Sequence, residues 1–376
     1  MSDDNSIDQE QHSAPPLKSK ITGLIVLVTN NRILRFLGLQ TGKLIANLSF
    51  MVLIINTFAL YLWAIVSLSF ILPWGWLQAS GALAFALACP LALIFIKPRR
   101  RTFIAISSIV VAITIWQQAI PPTNNRDWQP SVARLPAIAV DGNEVRINNI
   151  RNFDYRSETD FTPRYYNRNY KLNELISLDY ILSYWDSNKA IAHTMFSFGF
   201  KNGDYIAVSV ETRLAKNQQQ SLLSGIFNQY ELIYILADER DILRLRTNFR
   251  KEQIYLYRVK ADHILLQKVF VEIIKHAAAL QKRPRFYNTL KHNCLTTLFA
   301  DLRRAQGKQY YLDYRFILNG YSDELLFTRG VLVTGGFPFK QLKAHRHINK
   351  YVEGLPDAEK DYSKKIRPPN SGMQDN

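Results

Sequence analysis

Cys294 has the clearest potential for chemistry in this sequence. It lies in a polar segment, Asn288 to Thr297, that leads into the apolar residues of a predicted helix. A thiol at a helix start faces unpaired backbone N–H groups and the positive end of the helix dipole, which lower its pKa. The same N–H groups can stabilise an oxyanion, as acyl transfer requires, and Asn288 and Asn293 flank the thiol as supporting residues. The alternative interpretation is an ordinary buried cysteine on an amphipathic helix.

A thiolate nucleophile requires a general base, and His193 is the strongest candidate among the histidines. Its segment, Ala190 to Phe200, is otherwise apolar and strand-like, so a polar ring there needs either a partner or a function. Glu211 ends the adjacent predicted strand and is placed to orient the ring, which completes a set of nucleophile, base and orienting group. A satisfied core histidine and a solvated glutamate are the alternative interpretations of these two residues.

The polar half of the chain predicts an α+β domain that positions these side chains. Alternating apolar and polar residues with turn signals predict strands over 133–154 (a hairpin), 190–200, 205–211, 231–237 and 254–259. Helical periods predict helices over 262–281 and from Cys294 through Leu302, whereas 172–188 has helix-like or irregular apolar spacing. We therefore expect an antiparallel sheet packed against helices, ending in a loosely held charged tail over roughly the last twenty residues.

The first third of the chain predicts three transmembrane helices. The run from Leu44 to Ile96 contains no charged residue and no histidine, and a second uncharged run extends from Thr102 to Asn125. A bilayer core of about 30 Å needs roughly 20 apolar residues in a helix, and Pro73 and Gly75 divide the first run. We predict spans near 45–71, 77–96 and 102–120. Two cysteines, Cys89 and Cys294, are too few for a disulfide framework.

The distribution of basic residues predicts the orientation in the membrane. Five Lys and Arg residues of the polar and amphipathic segment 1–43 precede the first span, the next loop has none, and the loop at 97–101 has four (Lys97, Arg99, Arg100 and Arg101). The positive-inside rule then places the N-terminus in the cytoplasm and everything after Ile120 outside it. A cleavable signal peptide is a poor alternative, because the first residues are polar and acidic.

The chain has 47 Lys and Arg against 31 Asp and Glu, a net charge of +16. A basic cluster that includes Arg240, Arg244 and Arg246 is predicted to contact anionic lipid headgroups, because the domain follows directly on a membrane span. A basic surface with nearby tyrosines can also indicate nucleic acid, which we do not expect outside the cytoplasm. A solvated face with internal ion pairs is an equally good interpretation of the same cluster.

Several motifs resemble one family, the Lnb N-terminal-type periplasmic domain. They occur in family order: His193-Thr with Ser197 to Phe200, Ala207 to Arg213, Gln229 to Ile235, Asp238 to Thr247, and Tyr287-Asn-Thr-Leu with Asn293 to Thr297. Asp361 to Arg367 resembles the closing segment of that family. The resemblance extends over roughly residues 130–368, leaving 369–376 as a flexible tail.

This resemblance implies a circularly permuted papain-like fold, in which a strand histidine precedes a helix-start cysteine. It also implies thiol acyl transfer or hydrolysis through a thioester at Cys294, with no metal and no diffusible cofactor. Better understood relatives include membrane-bound lipoprotein transacylases, so a membrane lipid or a lipoprotein at the bacterial inner membrane is the implied substrate. A cell-wall peptide hydrolase that uses the same residues, or a non-enzymatic sensor or scaffold, are the alternatives.

Overall fold

The structure is a computed structural model that describes residues 17–72, 75–307, 313–356, 359 and 361–367, with only the backbone described over 17–39. The chain divides into two compact units, residues 1–119 and 120–376. The first unit contains three apolar helices and the second is a mixed α+β domain, as predicted. The predicted tail 369–376 lies outside the described residues, and so does most of the acidic N-terminus.

Three helices of the first unit are long and apolar enough to cross a membrane. They are α1 (Leu17–Ile71), α2 (Gly75–Phe95) and α3 (Arg99–Ala119), and the apolar part of α1 is Gln40–Ile71. Helix α1 begins long before the predicted span because charged residues end an apolar run without interrupting backbone hydrogen bonds. Ala64, Ala82 and Val110 are buried where the three helices pack together.

The second unit is built around one eight-stranded sheet. Its strands are β1 (Ala137–Asp141), β2 (Glu144–Arg151), β5 (Tyr165–Lys171), β6 (Leu175–Tyr184), β7 (His193–Phe200), β8 (Tyr205–Arg213), β9 (Glu231–Ala237) and β10 (Gln253–Arg258), and a separate small hairpin is formed by β3 (Asp154–Tyr155) and β4 (Phe161–Thr162). The spatial order is β1-β2-β9-β8-β7-β6-β10, with β5 also paired to β2. Neighbouring strands are antiparallel except for a single parallel contact between β2 and β9.

The two predicted hairpins are confirmed. Asp141 pairs with Glu144 across the β1–β2 turn, where Gly142 has a φ of +54° that a side chain would disfavour. The second hairpin joins β7 to β8 through residues 201–204.

The helix-like interpretation of 172–188 is wrong, because most of this segment is β6. This strand is buried along nearly its whole length, since helices cover one face of the sheet and short segments cover the other. A strand buried on both faces reads as a continuous apolar run and loses the alternation that identifies a strand.

Helices on one face of the sheet position the candidate nucleophile. They are α6 (His263–Lys282) and α7 (Cys294–Gln306), and both begin within two residues of the predicted positions. Phe196, Phe198 and Val208 of the sheet share one core with Phe270 and Leu298 of these helices. The other helices of this unit are short: α4 (Leu222–Ile226), α5 (Glu239–Arg244), α8 (Ser322–Thr328), α9 (Phe339–His345), α10 (Asn349–Val352) and α11 (Tyr362–Lys365).

The end of the described chain is part of the core, which corrects the predicted loose tail for residues 361–367. Tyr362 and Ile366 are buried against the second face of the sheet. The Arg367 guanidinium is buried as well: its Nε donates to Asp179 Oδ2 (2.9 Å) and its Nη1 donates to Glu239 Oε2 (2.8 Å). Two buried carboxylates therefore hold this segment in place, a long-range pairing that composition does not reveal.

Candidate active site

Cys294 is the first residue of α7, as the sequence predicts. Asn293 caps the helix: its Oδ1 accepts from the Thr296 N–H (2.9 Å), and the Asn293 N–H donates to Thr296 Oγ1 (3.0 Å). Asn288 holds the preceding turn, since its Oδ1 accepts from the N–H groups of Leu290 and Lys291 (3.1 and 3.0 Å). Both asparagines support the thiol by shaping the backbone, and their side-chain oxygens are engaged in doing so.

The sulfur of Cys294 is buried beside an amide and a strand backbone. The residue is 6% exposed, and Nδ2 of Asn319 lies 4.0 Å from Sγ. Burial raises the pKa of the Cys294 thiol, and this effect outweighs hydrogen bonds from the backbone of Thr194 and Leu295, which lower it. The lowered pKa expected from the helix start is therefore wrong, because desolvation exceeds the stabilisation by N–H groups. The resting thiol is neutral at pH 7.

His193 is held by a relay to Glu211. Its Nε2 lies 2.6 Å from Ser209 Oγ, and that hydroxyl donates to Glu211 Oε1 at 2.9 Å. Because the hydroxyl hydrogen points to Glu211, Ser209 accepts from Nε2–H, which leaves the lone pair of His193 on Nδ1. Ser209 thus connects the ring of His193 to the carboxylate of Glu211. Burial, and secondly Arg246, lower the pKa of His193 to about 3, so the ring is neutral at pH 7.

Arg246 keeps the carboxylate of Glu211 ionised. Its Nη2 donates to Glu211 Oε1 at 2.8 Å, and its Nε lies 3.7 Å from Glu252. Burial alone would raise the pKa of Glu211, but the charges of Arg246, His193 and Arg151 hold it well below the ordinary value. The result is a partly buried anion that can stabilise an imidazolium at His193.

The structure places His193 and Cys294 at the same end of β7 without joining them. Side chains alternate along the strand, so Thr194 lies on the face that contacts α7. His193 lies on the opposite face, together with Met195. Among the described residues no hydrogen bond connects the imidazole to the thiol. Beyond Met195 and Ser209 the strands β7 and β8 no longer pair.

A pocket of about 670 Å³ opens at this end of the two strands. His193 and Glu211 line it together with Val210 and Tyr287, which lie on the side of the sheet that carries α7. Burial raises the pKa of the Tyr287 hydroxyl, and the charges of Cys294 and Glu211 raise it further. The pocket gives access to the half of the candidate site that contains His193 and Glu211, and Cys294 is not among the residues that line it.

Sequence reasoning missed three residues of this site: Ser209, Tyr287 and Asn319. Asn319 imitates a strand partner, because its Oδ1 accepts from the Ala192 N–H (2.9 Å) and its Nδ2 donates to the Ala192 carbonyl (2.6 Å). The start of β7 and the thiol therefore share one amide. The Ser-Val-Glu spacing of Ser209 and Glu211 on a strand, which places both side chains on one face, is the signal that could have revealed Ser209.

The three arginines predicted to contact headgroups are directed inwards. Arg240 pairs with Asp154 at 3.1 Å, Arg244 is buried with its guanidinium over the Phe249 ring, and Arg246 is the buried partner of Glu211. This arrangement agrees with the alternative of internal ion pairs and leaves these three arginines without a free guanidinium for a headgroup contact. Within the described ranges, no group of three or more His, Cys, Asp and Glu residues could hold a metal ion.

Comparison with known proteins confirms the family resemblance over part of the chain. Residues 161–320 match the family model of the Lnb N-terminal periplasmic domain, a shorter stretch than the predicted 130–368. The match includes Cys294, His193, Glu211 and Asn319. Searches of curated proteins and of solved structures found no match. The three apolar helices and a periplasmic-domain family together fit an inner-membrane protein with its C-terminal domain in the periplasm.

Proposed function

We propose that this protein is a membrane-anchored thiol acyltransferase or hydrolase that acts on an acyl ester or amide of a membrane lipid or lipoprotein. The domain would have a circularly permuted papain-like fold, and the N-terminus would lie in the cytoplasm. Cys294 is the nucleophile, His193 the base and Glu211 the orienting anion. The observation that carries the proposal is a thiol at the start of α7 beside the first residues of β7. There His193 keeps its Nδ1 lone pair free of partners among the described residues.

The protonation states favour general-base catalysis over a resting thiolate–imidazolium pair. Thiol and imidazole are both neutral, so His193 Nδ1 takes the thiol proton as Sγ attacks the substrate carbonyl. Glu211, through Ser209, stabilises the imidazolium that forms. N–H groups at the start of α7 and the Asn319 amide are the donors next to the sulfur, and they would hold the oxyanion.

Collapse of the tetrahedral intermediate breaks the bond to the leaving alcohol or amine, which receives the proton from His193. A thioester then remains at Cys294. Water or an amine attacks this thioester, and the thiol is regenerated. Substrate binding has to bring Nδ1 of His193 to the thiol, because these groups are not hydrogen-bonded in the structure.

Exposed apolar side chains around the pocket favour a lipid substrate over a cell-wall peptide. Within the described part of the domain after Ile120, the exposed large apolar residues concentrate in four segments near the site. The exceptions are Val140 and Ile264. The four segments contain Trp185, Ile191, Leu222, Leu223, Leu290, Tyr314, Ile317, Leu318 and Tyr321. The segments touch in pairs: Thr289 Oγ1 donates to the Leu222 carbonyl and the Gly320 N–H donates to the Ala190 carbonyl. A concentration of exposed apolar side chains of this kind is typical of binding to lipid or to another protein.

A non-enzymatic periplasmic sensor or scaffold is the competing function. Two features favour this function: the thiol is neutral, and no hydrogen bond connects His193 to Cys294 among the described residues. In that case Ser209, Glu211 and Arg246 would serve only to stabilise the end of β8.

Activity of the full chain in detergent tests the proposal, with a synthetic lipopeptide that carries a diacylglyceryl cysteine as substrate. We expect Cys294→Ala to abolish acyl release and His193→Gln to reduce it by a factor of about 100 or more. Cys89→Ala is the matched control, because Cys89 lies in α2, and it should retain full activity. Full acyl release by Cys294→Ala would refute the proposal.

A further inference from the structure

A second pocket lies on the outer side of α7, between α6 and α7. Its volume is about 750 Å³, in the range of small-molecule sites. Thr296 and Thr297 of the first turn of α7 line it, together with Lys291 and His292 of the turn that precedes Cys294. Neither the family resemblance nor the proposed thiol chemistry assigns a role to this pocket.

Four cations at the pocket have no acidic partner. Arg283, Arg285, Lys291 and Arg303 are exposed, and within the described part of the chain none of their side chains forms a hydrogen bond or an ion pair. No carboxylate lines the pocket among the residues described there. All four line the same pocket, and Arg285 and Lys291 both contribute to lowering the pKa of His292, after the larger effect of burial.

The nearby acidic residues are already neutralised. Asp301 is fully buried and receives hydrogen bonds from the Tyr234 hydroxyl (2.7 Å) and from Arg304 (2.5 Å), and His276 Nδ1 lies 2.8 Å from it. Glu272 accepts from Arg304 Nε at 2.9 Å. The four remaining cations therefore present uncompensated positive charge to whatever enters the pocket.

The floor of the pocket is apolar. Leu280 of α6 and Phe299 and Ala300 of α7 line it, and Phe316 packs edge-on against Phe299 with ring centroids 5.3 Å apart. A free phosphate ion would not use this surface, whereas an acyl chain would. Cations over an apolar floor complement an amphiphile with an anionic head.

We propose that this pocket binds one anionic phospholipid, with its phosphate held by Arg283, Arg285, Lys291 and Arg303 and part of one acyl chain on the floor. Arginine is well suited to this role because its planar guanidinium can donate two hydrogen bonds to a phosphate. The pocket would bind the lipid beside the helix that begins with Cys294. Binding of this lipid is independent of the thiol chemistry and can be measured without it.

Binding of a fluorescent short-chain phosphatidylglycerol to the full chain in non-ionic detergent tests this inference, in a Cys294→Ser background that excludes turnover. Fluorescence polarisation reports the affinity. We expect Arg285→Gln/Arg303→Gln to weaken binding by about tenfold or more. The matched control, Lys260→Gln/Lys268→Gln, removes the same charge at exposed positions outside the pocket and should leave the affinity unchanged.

Competition distinguishes the sources of the phosphate. Unlabelled phosphatidylglycerol should displace the probe, while inorganic phosphate and the corresponding diacylglycerol should each compete poorly. Ala300→Trp fills the floor, keeps every charge, and should weaken lipid binding as well. Equal affinity of the arginine variant and its lysine control would overturn the proposal, and so would inorganic phosphate or diacylglycerol that competes as well as the phospholipid.

Discussion

The carboxylate of Glu211 lies 3.7 Å from Nε2 of His193, and the hydroxyl of Ser209 bridges the two groups. This relay fixes the tautomer of a neutral imidazole and leaves Nδ1 as its basic nitrogen. Arg246 completes the arrangement by keeping Glu211 ionised. The relay therefore orients a neutral imidazole with Nδ1 available, although burial and Arg246 disfavour its protonation in the resting fold and the thiol is still separate.

The partly buried imidazole of His193 should make stability depend on pH. The pKa of His193 is about 3 in the folded protein against an ordinary value of 6.5, so the unfolded chain binds the proton more readily. Stability is therefore fully present above pH 6.5 and falls as the pH drops towards 3. His193→Gln should remove this contribution, about 2 kcal/mol at pH 5, from the pH dependence of unfolding. Urea titrations at pH 7 and pH 5 measure it.

His263→Gln is the control for this experiment, since His263 is exposed at the start of α6. It should keep the wild-type difference between pH 7 and pH 5. An unchanged difference in His193→Gln would contradict the buried, neutral ring.

Glu211→Gln should destabilise the domain by about 3 kcal/mol, because it leaves Arg246 buried with a weakened partner. The pKa of Glu211 is held below its ordinary value of 4.5, so its contribution is present above that pH and is lost as the pH falls through the folded-state pKa. The difference in the free energy of unfolding between Glu211→Gln and the wild type should therefore become smaller at low pH. Chemical denaturation at pH 7 and pH 3 tests both statements.

Glu158→Gln removes a salt bridge that is much more exposed, to Arg250, and provides the matched control. Its effect should stay within about 0.5 kcal/mol. If the two variants lost equal stability, Glu211 would be an ordinary surface carboxylate.

The apolar surface around the pocket should matter only for substrates in a membrane. Leu222→Ser/Leu290→Ser replaces two side chains that are 66% and 65% exposed, so the fold should be retained. We expect acyl release from lipopeptide in vesicles to fall by about tenfold or more, while hydrolysis of a soluble thioester stays within a factor of about two. The control variant Val140→Ser/Ile264→Ser lies outside this surface and should leave both rates unchanged. Equal losses on both substrates in Leu222→Ser/Leu290→Ser would indicate damage to the site instead.

The closing segment should be essential for stability. Arg367→Met leaves Asp179 and Glu239 buried without this cation, and unfolding should become easier by about 3–5 kcal/mol. Calorimetry of this variant is the measurement, and a wild-type melting temperature for Arg367→Met would show that this ion pair does not hold residues 361–367.

Periodicity and turn chemistry were sufficient for much of the fold and for part of the site. The hairpins and both long helices were predicted because local patterns specify them, and the position of Cys294 at a helix start followed from the same signals. Strand β6 was not predicted, because its burial on both faces removes the alternation of apolar and polar residues that identifies a strand. Asn319 was missed because its role depends on Ala192, which is distant in the chain and adjacent only in the fold.

The pKa of Cys294 and the partner of Arg246 could not be predicted from the sequence, because both depend on contacts that exist only in the folded domain. A helix start suggests a lowered thiol pKa, but the extent of burial at Cys294 decides the sign, and burial is a property of the packed domain. Arg246 appeared to belong to a basic surface, whereas the fold turns it inwards to Glu211.

The most direct test of the central claim is the mass of the full chain after mixing with the diacylglyceryl lipopeptide and rapid quenching in acid. We expect a mass gain of one acyl group on Cys294. The adduct should be released by neutral hydroxylamine, retained in Cys89→Ala and lost in Cys294→Ala. Turnover of the lipopeptide without any acyl adduct at Cys294, or an adduct that persists in Cys294→Ala, would contradict it.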